Sequence, residues 1–188
     1  VIMFGGDMRL SEIQSPVHHG SAEVVGVATV DFSGPAIGLT RHKCKCEWMV
    51  PGAKAGLDIR VEPVYKKMRS PGADRFGLEV RSQFGAKPIL MKHVARNVLK
   101  HRAEARLIAL VADQSPGKRE RVHWTTFLNQ STAFFSGGAA IARATGLPVI
   151  FATCQRVSRG YYNVRFEVIT GTPKELPEDE IIERYTQL

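Results

Sequence analysis

Short apolar runs recur along the chain, and each has the length of a β-strand. In chain order they lie at 24–30, 36–40, 88–91, 107–112, 148–157 and 161–169. A further strand is predicted where Leu57, Ile59 and Val61 alternate with polar residues. Residues 158–160, Ser-Arg-Gly, separate the last two runs and predict a hairpin turn between them.

Helix-like patterns lie between these runs. Phe76, Val80 and Phe84 are spaced four apart, which predicts one face of a helix that ends at Gly85. Further helices are predicted at 94–99, at 138–145 with Gly146 as the stop signal, and from residue 177 onward. Strands that alternate with helices predict an α/β fold with a mixed, mostly parallel sheet flanked by helices, because the late hairpin adds an antiparallel pair.

The composition is that of an ordinary globular domain. The chain has 188 residues, of which 44% are hydrophobic and 23% charged, so disorder and collagen are excluded. No apolar run approaches the roughly 18 residues of a membrane-spanning helix. Three cysteines favour a reducing compartment over a disulfide framework.

The charge favours an anionic partner. Lysine and arginine outnumber the acids by 26 to 18, which gives a formal net charge of +8. Nucleic acid, a phosphorylated ligand and an acidic membrane surface are all compatible with this charge.

One histidine has the spacing of a general base. His42 and Glu47 form a His-x4-Glu pattern, in which His42 follows a predicted strand and Glu47 starts the next element. A carboxylate can then hold one imidazole nitrogen while the other nitrogen takes a proton from an alcohol. The nearby Cys44 and Cys46 have no second pair of metal ligands, so no metal site is predicted.

A turn after a predicted buried strand is a second candidate site. Residues 113–119 read Asp-Gln-Ser-Pro-Gly-Lys-Arg. Gly117 allows the backbone to approach a ligand, and Lys118 and Arg119 can grip a phosphate or carboxylate. Ser136 and Gly137 precede a predicted helix, where backbone N–H groups can face an anion.

A basic run from Tyr65 and Lys66 to Arg75 follows another predicted strand. The two tryptophans, Trp48 and Trp124, are predicted to be packing residues.

Taken in order, these motifs resemble the bacterial lipid A secondary (lauroyl/myristoyl) acyltransferases, a branch of the lysophospholipid acyltransferase superfamily. The segments that carry the resemblance are 42–48, 64–67, 81–85, 112–119, 126–128, 136–137, 141–143 and 146–149. The resemblance covers residues 36–188 and implies a glycerolipid acyltransferase-like core there. Residues 1–35 are a poorly matched N-terminal segment. The family's N-terminal membrane anchor and C-terminal extension are expected to lie outside this chain.

The resemblance implies transfer of a fatty acyl group from acyl carrier protein, or from acyl-CoA, to a hydroxyl of a lipid A precursor. His42 would be the general base, and Glu47 would orient it. The positions Tyr65, Lys66, Arg75, Asp113, Gly117, Lys118, Arg119, Ser136 and Gly137 would bind substrate.

No cofactor beyond the acyl donor is implied. The expected partners are acyl carrier protein, an anionic glycolipid acceptor and the surface of the inner membrane, at its cytoplasmic face. Nucleic acid is not expected.

Within the resemblance, this sequence departs from the family around the histidine. Arg41 stands where glycine is usual, and Lys43 stands where an aromatic residue is usual. Two alternatives stay open: a glycerolipid acyltransferase of the same superfamily, and a non-catalytic basic domain that binds nucleic acid or anionic membranes.

Overall fold

The computed structural model describes residues 21–24, 30, 32–42, 50, 53, 59–82, 85–117, 120–158 and 161–188. Across these residues the strands are β1 Ser21–Val24, β2 Pro35–Thr40, β3 Arg60–Tyr65, β4 Ile89–Leu90, β5 Arg106–Val111, β6 Val122–Phe127, β7 Gln130–Phe135, β8 Val149–Ser158 and β9 Tyr161–Thr170. The helices are α1 Pro71–Arg81, α2 Val94–Lys100, α3 Gly137–Thr145 and α4 Glu178–Gln187, with a short 3₁₀ turn at Met91–His93.

Seven strands form one sheet in the order β1-β9-β8-β2-β5-β3-β4. Strands β8, β2, β5, β3 and β4 are mutually parallel, whereas β9 pairs antiparallel with β8. Strand β1 pairs parallel with β9. The predicted α/β class, with a mixed and mostly parallel sheet flanked by helices, is therefore confirmed.

The central strands are apolar on both faces because helices or loops cover both sides of the sheet. In β2, Ile37 and Leu39 face one buried cluster and Ala36 faces the other. Neighbours in β5 divide in the same way, with Ile108 in the first cluster and Leu107 in the second. This explains why continuous apolar runs, rather than alternating patterns, marked β2 and β5 in the sequence.

Part of the segment before residue 35 belongs to the same sheet and core. Strand β1 lies at the sheet edge beside β9. Phe32 is buried, and its ring packs edge-on against Phe166 of β9 with 5.5 Å between the ring centroids.

Helix α3 ends where the sequence predicted. Gly146 adopts a left-handed conformation with φ of 79°, and its N–H donates to the carbonyl of Ala142 at 2.7 Å. A residue with a side chain is strained at this φ, which is why glycine serves as the stop.

The first predicted helix is present as α1, but its predicted end at Gly85 was wrong. Helix α1 ends at Arg81 instead of continuing to Gly85, and Phe76 is 69% exposed. The buried member of α1 is Asp74, whose carboxylate accepts a hydrogen bond from the Met68 N–H at 2.8 Å. Phe84 lies outside the described residues.

The hairpin β6–β7 was not predicted. Its turn residues Leu128 and Asn129 both have positive φ, at 51° and 62°. Two left-handed residues in a two-residue loop are typical of a type I′ turn, which usually contains glycine. Because glycine is absent here, the sequence gives no strong turn signal.

Candidate functional site

A cleft lies at the carboxyl ends of the parallel strands β2, β3 and β5. Thr40 and Val111, the last residues of β2 and β5, are paired in the register of the sheet. The N–H of Ala112 then donates to the carbonyl of Thr40 at 2.9 Å, which keeps the two chains together beyond the strands. This edge of a parallel sheet is where ligands usually bind in α/β folds.

His42 and Asp113 leave adjacent strands at this edge and form a close pair. One carboxylate oxygen of Asp113 lies 2.7 Å from Nδ1 of His42, and the other accepts the His42 backbone N–H at 2.7 Å. The side chains are 44% and 26% exposed. A proton on Nδ1 satisfies the carboxylate and leaves Nε2 of His42 as a hydrogen-bond acceptor, which is the arrangement of a general base.

Gln114 approaches the second imidazole nitrogen. Its side-chain nitrogen lies 3.2 Å from Nε2 of His42. With Nδ1 protonated, the Gln114 amide N–H donates to the Nε2 lone pair. A hydroxyl that gives its proton to His42 would have to occupy the same position. Both nitrogens of His42 are thus held by residues of the loop that follows β5.

The cleft beside these groups has a volume of about 320 Å³ and combines apolar walls with cations. Its lining consists of Thr40, His42, Val50, Pro63, Val64, Tyr65, Lys66, Arg81, Met91, Ala109, Leu110, Val111, Gln114 and Phe135. Lys66 and Arg81 are the charged residues in this lining besides the titratable His42. Such a cleft suits a ligand with a hydrocarbon chain and an anionic group.

Arg41 and Tyr185 fix the backbone that carries His42. The guanidinium of Arg41 lies 5.1 Å from the ring centroids of both Phe151 and Tyr185, and it donates to the carbonyl of Tyr185 at 2.6 Å. The hydroxyl of Tyr185 donates to the carbonyl of Thr40 at 3.1 Å. The end of β2 is therefore held to α4 on both sides of the Thr40–Arg41 peptide.

Burial, and to a smaller extent the negative charge of Asp113, raises the pKa of Tyr185 to about 12, although the Arg41 guanidinium opposes the change. Tyr185 thus remains a neutral hydrogen-bond donor at any physiological pH.

The predicted binding residues Tyr65 and Lys66 line this cleft. Lys66 also pairs with Glu120, with 3.2 Å between Nζ and the carboxylate. The other carboxylate oxygen of Glu120 accepts the Gly117 N–H at 2.7 Å. This bond, followed by Lys66, lowers the pKa of Glu120. The amide of Gly117 is therefore engaged within its own loop.

Arg75 and Ser136 lie away from the cleft. Arg75 pairs with Glu79 on the exposed side of α1, with 2.9 Å between nitrogen and oxygen. Ser136 is buried and lines a separate surface pocket together with Arg121 and Lys174.

Gly137 has a packing role in the described structure. A Cβ added there would lie 2.5 Å from the ring of Phe135. The absence of a side chain allows the Phe135 ring to pack over the start of α3, and Phe135 lines the cleft.

The remaining predicted positions, Glu47, Lys118 and Arg119, lie outside the described residues, as does Trp48.

The sequence assigned Asp113 to substrate binding, and the structure pairs it with His42. It assigned no role to Gln114, although the Asp-Gln pair belonged to the motifs. Strand order was the missing information, because it decides which two strand ends are neighbours.

No family model matches this chain, and no curated protein matches it. Among the helices that the structure describes, none is long and apolar enough to span a membrane.

Proposed function

We propose that the protein is an O-acyltransferase with His42 as its general base. It would move a fatty acyl group from acyl carrier protein or acyl-CoA to a hydroxyl of a lipid A precursor at the cytoplasmic face of the bacterial inner membrane. The observation that carries the proposal is the pairing of Nδ1 of His42 with Asp113. The sequence motifs supply the substrate class.

In this proposal, the acceptor hydroxyl displaces the Gln114 amide from Nε2 of His42. His42 takes the hydroxyl proton as the oxygen attacks the thioester carbonyl. The negative charge of Asp113 stabilises the imidazolium that forms. The carbon–sulfur bond then breaks, and the proton on Nε2 passes to the departing thiolate, so that no covalent acyl-enzyme is needed.

The composition of the cleft supports an amphiphilic substrate. Val64, Leu110 and Met91 supply apolar walls, and Lys66 and Arg81 supply positive charge. An arginine can bind a phosphate oxygen pair through its planar fork, whereas a lysine acts as a point charge. A phosphorylated glycolipid carries both of the chemical features that these residues complement.

The structure pairs His42 with Asp113, whereas the resemblance assigns the role of orienting His42 to Glu47. Its function and that of Asp113 are separable by experiment, because each carboxylate can be changed alone.

The test is an acyl-transfer assay with labelled donors. The full chain is incubated with acyl carrier protein or coenzyme A carrying a fatty acid, and with either a phosphorylated glucosamine-based lipid A precursor or a lysophosphatidate. We expect transfer to the glucosamine lipid, with His42→Ala as the background. Transfer to lysophosphatidate alone would assign the protein to the glycerolipid branch, and no transfer by the folded chain would refute the proposal.

A further inference from the structure

The hairpin β6–β7 has one covered face and one open face. On the covered face, His123 and Thr125 bond to Glu183 of α4, at 2.7 and 2.9 Å. On the open face, Val122 is 43% exposed and Trp124 is 63% exposed. Trp124 was predicted to be a packing residue, but it is largely exposed, because strand alternation places it opposite the side chains that contact α4.

The open face is apolar across both strands near its base. Val122 pairs with Phe135, and Trp124 pairs with Ala133 in the antiparallel register. Side chains of directly paired residues share one face of a hairpin. Leu128, at the turn, is 78% exposed. An apolar strip thus extends from Phe135 to Trp124, with a further apolar side chain at the hairpin tip.

This strip is continuous with the cleft that contains His42. Phe135 belongs to the strip through its pairing with Val122, and it also lines the cleft. The open face of the hairpin therefore adjoins the cleft at Phe135.

Charged residues of both signs lie beside the strip, because Val122 lines a surface pocket with Arg121, Arg143 and Lys174 and also with Glu175, Glu178 and Asp179. The preference for an anionic surface rests on the positive net charge of the whole chain. Arg121, directly before β6, has a side chain that is 69% exposed, although it pairs with Glu178 at 2.8 Å. The cleft adds Lys66 and Arg81, and the whole chain has a formal net charge of +8. Tryptophan is enriched where one end of a side chain meets apolar groups and the other meets water, as at a membrane interface.

We propose that the open face of the hairpin, with Val122 and Trp124, and Leu128 at the hairpin tip dock the protein on an anionic lipid bilayer with the cleft facing the membrane. The choice of a bilayer over a protein partner rests on the proposed function, since a lipid acceptor is delivered from a membrane. Trp124 would insert at the level of the head groups, and the cations would face the lipid phosphates.

The experiment measures sedimentation of the full chain with vesicles. One set contains phosphatidylglycerol and phosphatidylethanolamine, and the other contains phosphatidylcholine alone. Trp124→Ser is compared with Phe76→Ser and Leu99→Ser, which remove apolar side chains that are 69% and 58% exposed on other surfaces. We expect binding to the anionic vesicles, and an approximately tenfold weaker partition for Trp124→Ser, corresponding to the loss of one inserted large apolar side chain. The two control variants should bind like the parent.

Equal weakening by all three variants, or no binding of the parent to the anionic vesicles, would overturn the proposal. So would a parent that forms a dimer and becomes monomeric with Trp124→Ser, since the face would then be an interface between two copies. Vesicle binding needs no turnover. A chain that docks through Trp124 but transfers no acyl group therefore refutes the proposed function and leaves the docking surface supported.

Discussion

Asp113 holds His42 through two hydrogen bonds of 2.7 Å, one to the backbone N–H and one to Nδ1. The two residues are 71 positions apart in the sequence and meet because β2 and β5 are parallel neighbours. The bond to the backbone N–H fixes the chain at His42, and the bond to Nδ1 fixes the tautomer of the imidazole ring. One carboxylate therefore positions the imidazole and would stabilise its protonated form.

Asp113→Asn should reduce kcat/KM for acyl transfer by about a hundredfold or more, in the range attributed to general-base catalysis. The amide oxygen can still accept the backbone N–H of His42, but the negative charge opposite Nδ1 is lost. The measurement is steady-state kinetics, with the thermal midpoint of unfolding as the control for folding.

The matched comparison is Glu47→Gln. If Asp113 is the acid that supports His42, Asp113→Asn should be the more damaging of the two changes. A larger loss with Glu47→Gln, together with near-normal activity of Asp113→Asn, would return the role to the His-x4-Glu pattern.

Tyr185 should make the fold sensitive to alkali. Its pKa is raised by burial from an ordinary 10.0 to about 12, so between these values the folded chain holds a proton that the unfolded chain has lost. The free energy of unfolding should therefore fall by about 2 to 3 kcal/mol as the pH rises through this interval.

Tyr185→Phe removes that proton. The variant should be about 1 kcal/mol less stable at neutral pH, because the hydrogen bond to the Thr40 carbonyl is lost. It should then show a shallower loss of stability in alkali, measured by urea unfolding. Identical pH dependence in the two proteins would contradict this account of Tyr185.

Arg106 and Glu62 form a buried ion pair. Arg106 is the first residue of β5, at the end of the strand away from the cleft. Arg106 is fully buried, and it also donates to the Asn97 side-chain oxygen at 2.5 Å and to the Asn97 carbonyl at 3.1 Å. Arg106→Met should lower the free energy of unfolding by about 1 to 3 kcal/mol, because Glu62 and Asn97 lose a buried partner while Glu62 keeps its second ion pair, with Arg60 at 2.7 Å.

The double variant Arg106→Met with Glu62→Met should lose less than the sum of the two single changes, as measured by a double-mutant cycle in urea. Strict additivity would show that the pair does not interact energetically. The kcat of the folded variants should be unchanged, since neither residue lines the cleft.

Glu183 should make the contact between the hairpin and α4 sensitive to acid. The hydrogen bond from His123, and then that from Thr125, lower the pKa of Glu183 below its ordinary 4.5. Its stabilising contribution is present above that value and is lost as the pH falls through the lowered pKa. The contribution should be under about 1 kcal/mol, because the carboxylate is partly exposed.

Glu183→Gln should therefore lose less thermal stability than the parent on acidification, measured by scanning calorimetry. Glu180→Gln, on the same helix and paired with Arg184, serves as the control. An acid response of Glu183→Gln equal to that of the parent would exclude this role for Glu183.

The parts of the fold that could be predicted have strong local signals. Strands β2 and β5 are uninterrupted apolar runs, and the turn before Tyr161 marks the hairpin β8–β9. Hairpin β6–β7 was not predicted because its turn, Leu128-Asn129, lacks glycine and because apolar and polar residues do not alternate regularly along its strands. The end of α1 was not predicted because the apolar spacing of four continues to Phe84, whereas the helix ends at Arg81.

The candidate site was predicted in pieces. The apolar run at 36–40 predicted that His42 follows a strand. The turn-rich residues 113–119 predicted that Asp113 binds a ligand. Their pairing depends on the order of strands in the sheet, which local patterns do not encode. The exposure of Trp124 depends likewise on which face of the hairpin α4 covers.

The role of His42 as general base is tested most directly by the ratio of kcat/KM between the parent and His42→Ala in acyl transfer to a lipid A precursor. His101→Ala is the matched control, because His101 also bonds to a carboxylate, that of Glu104 at 2.5 Å, but does not line the cleft. We expect a loss of at least about a hundredfold for His42→Ala and normal activity for His101→Ala. Equal activity of the parent and His42→Ala would show that His42 is not the base.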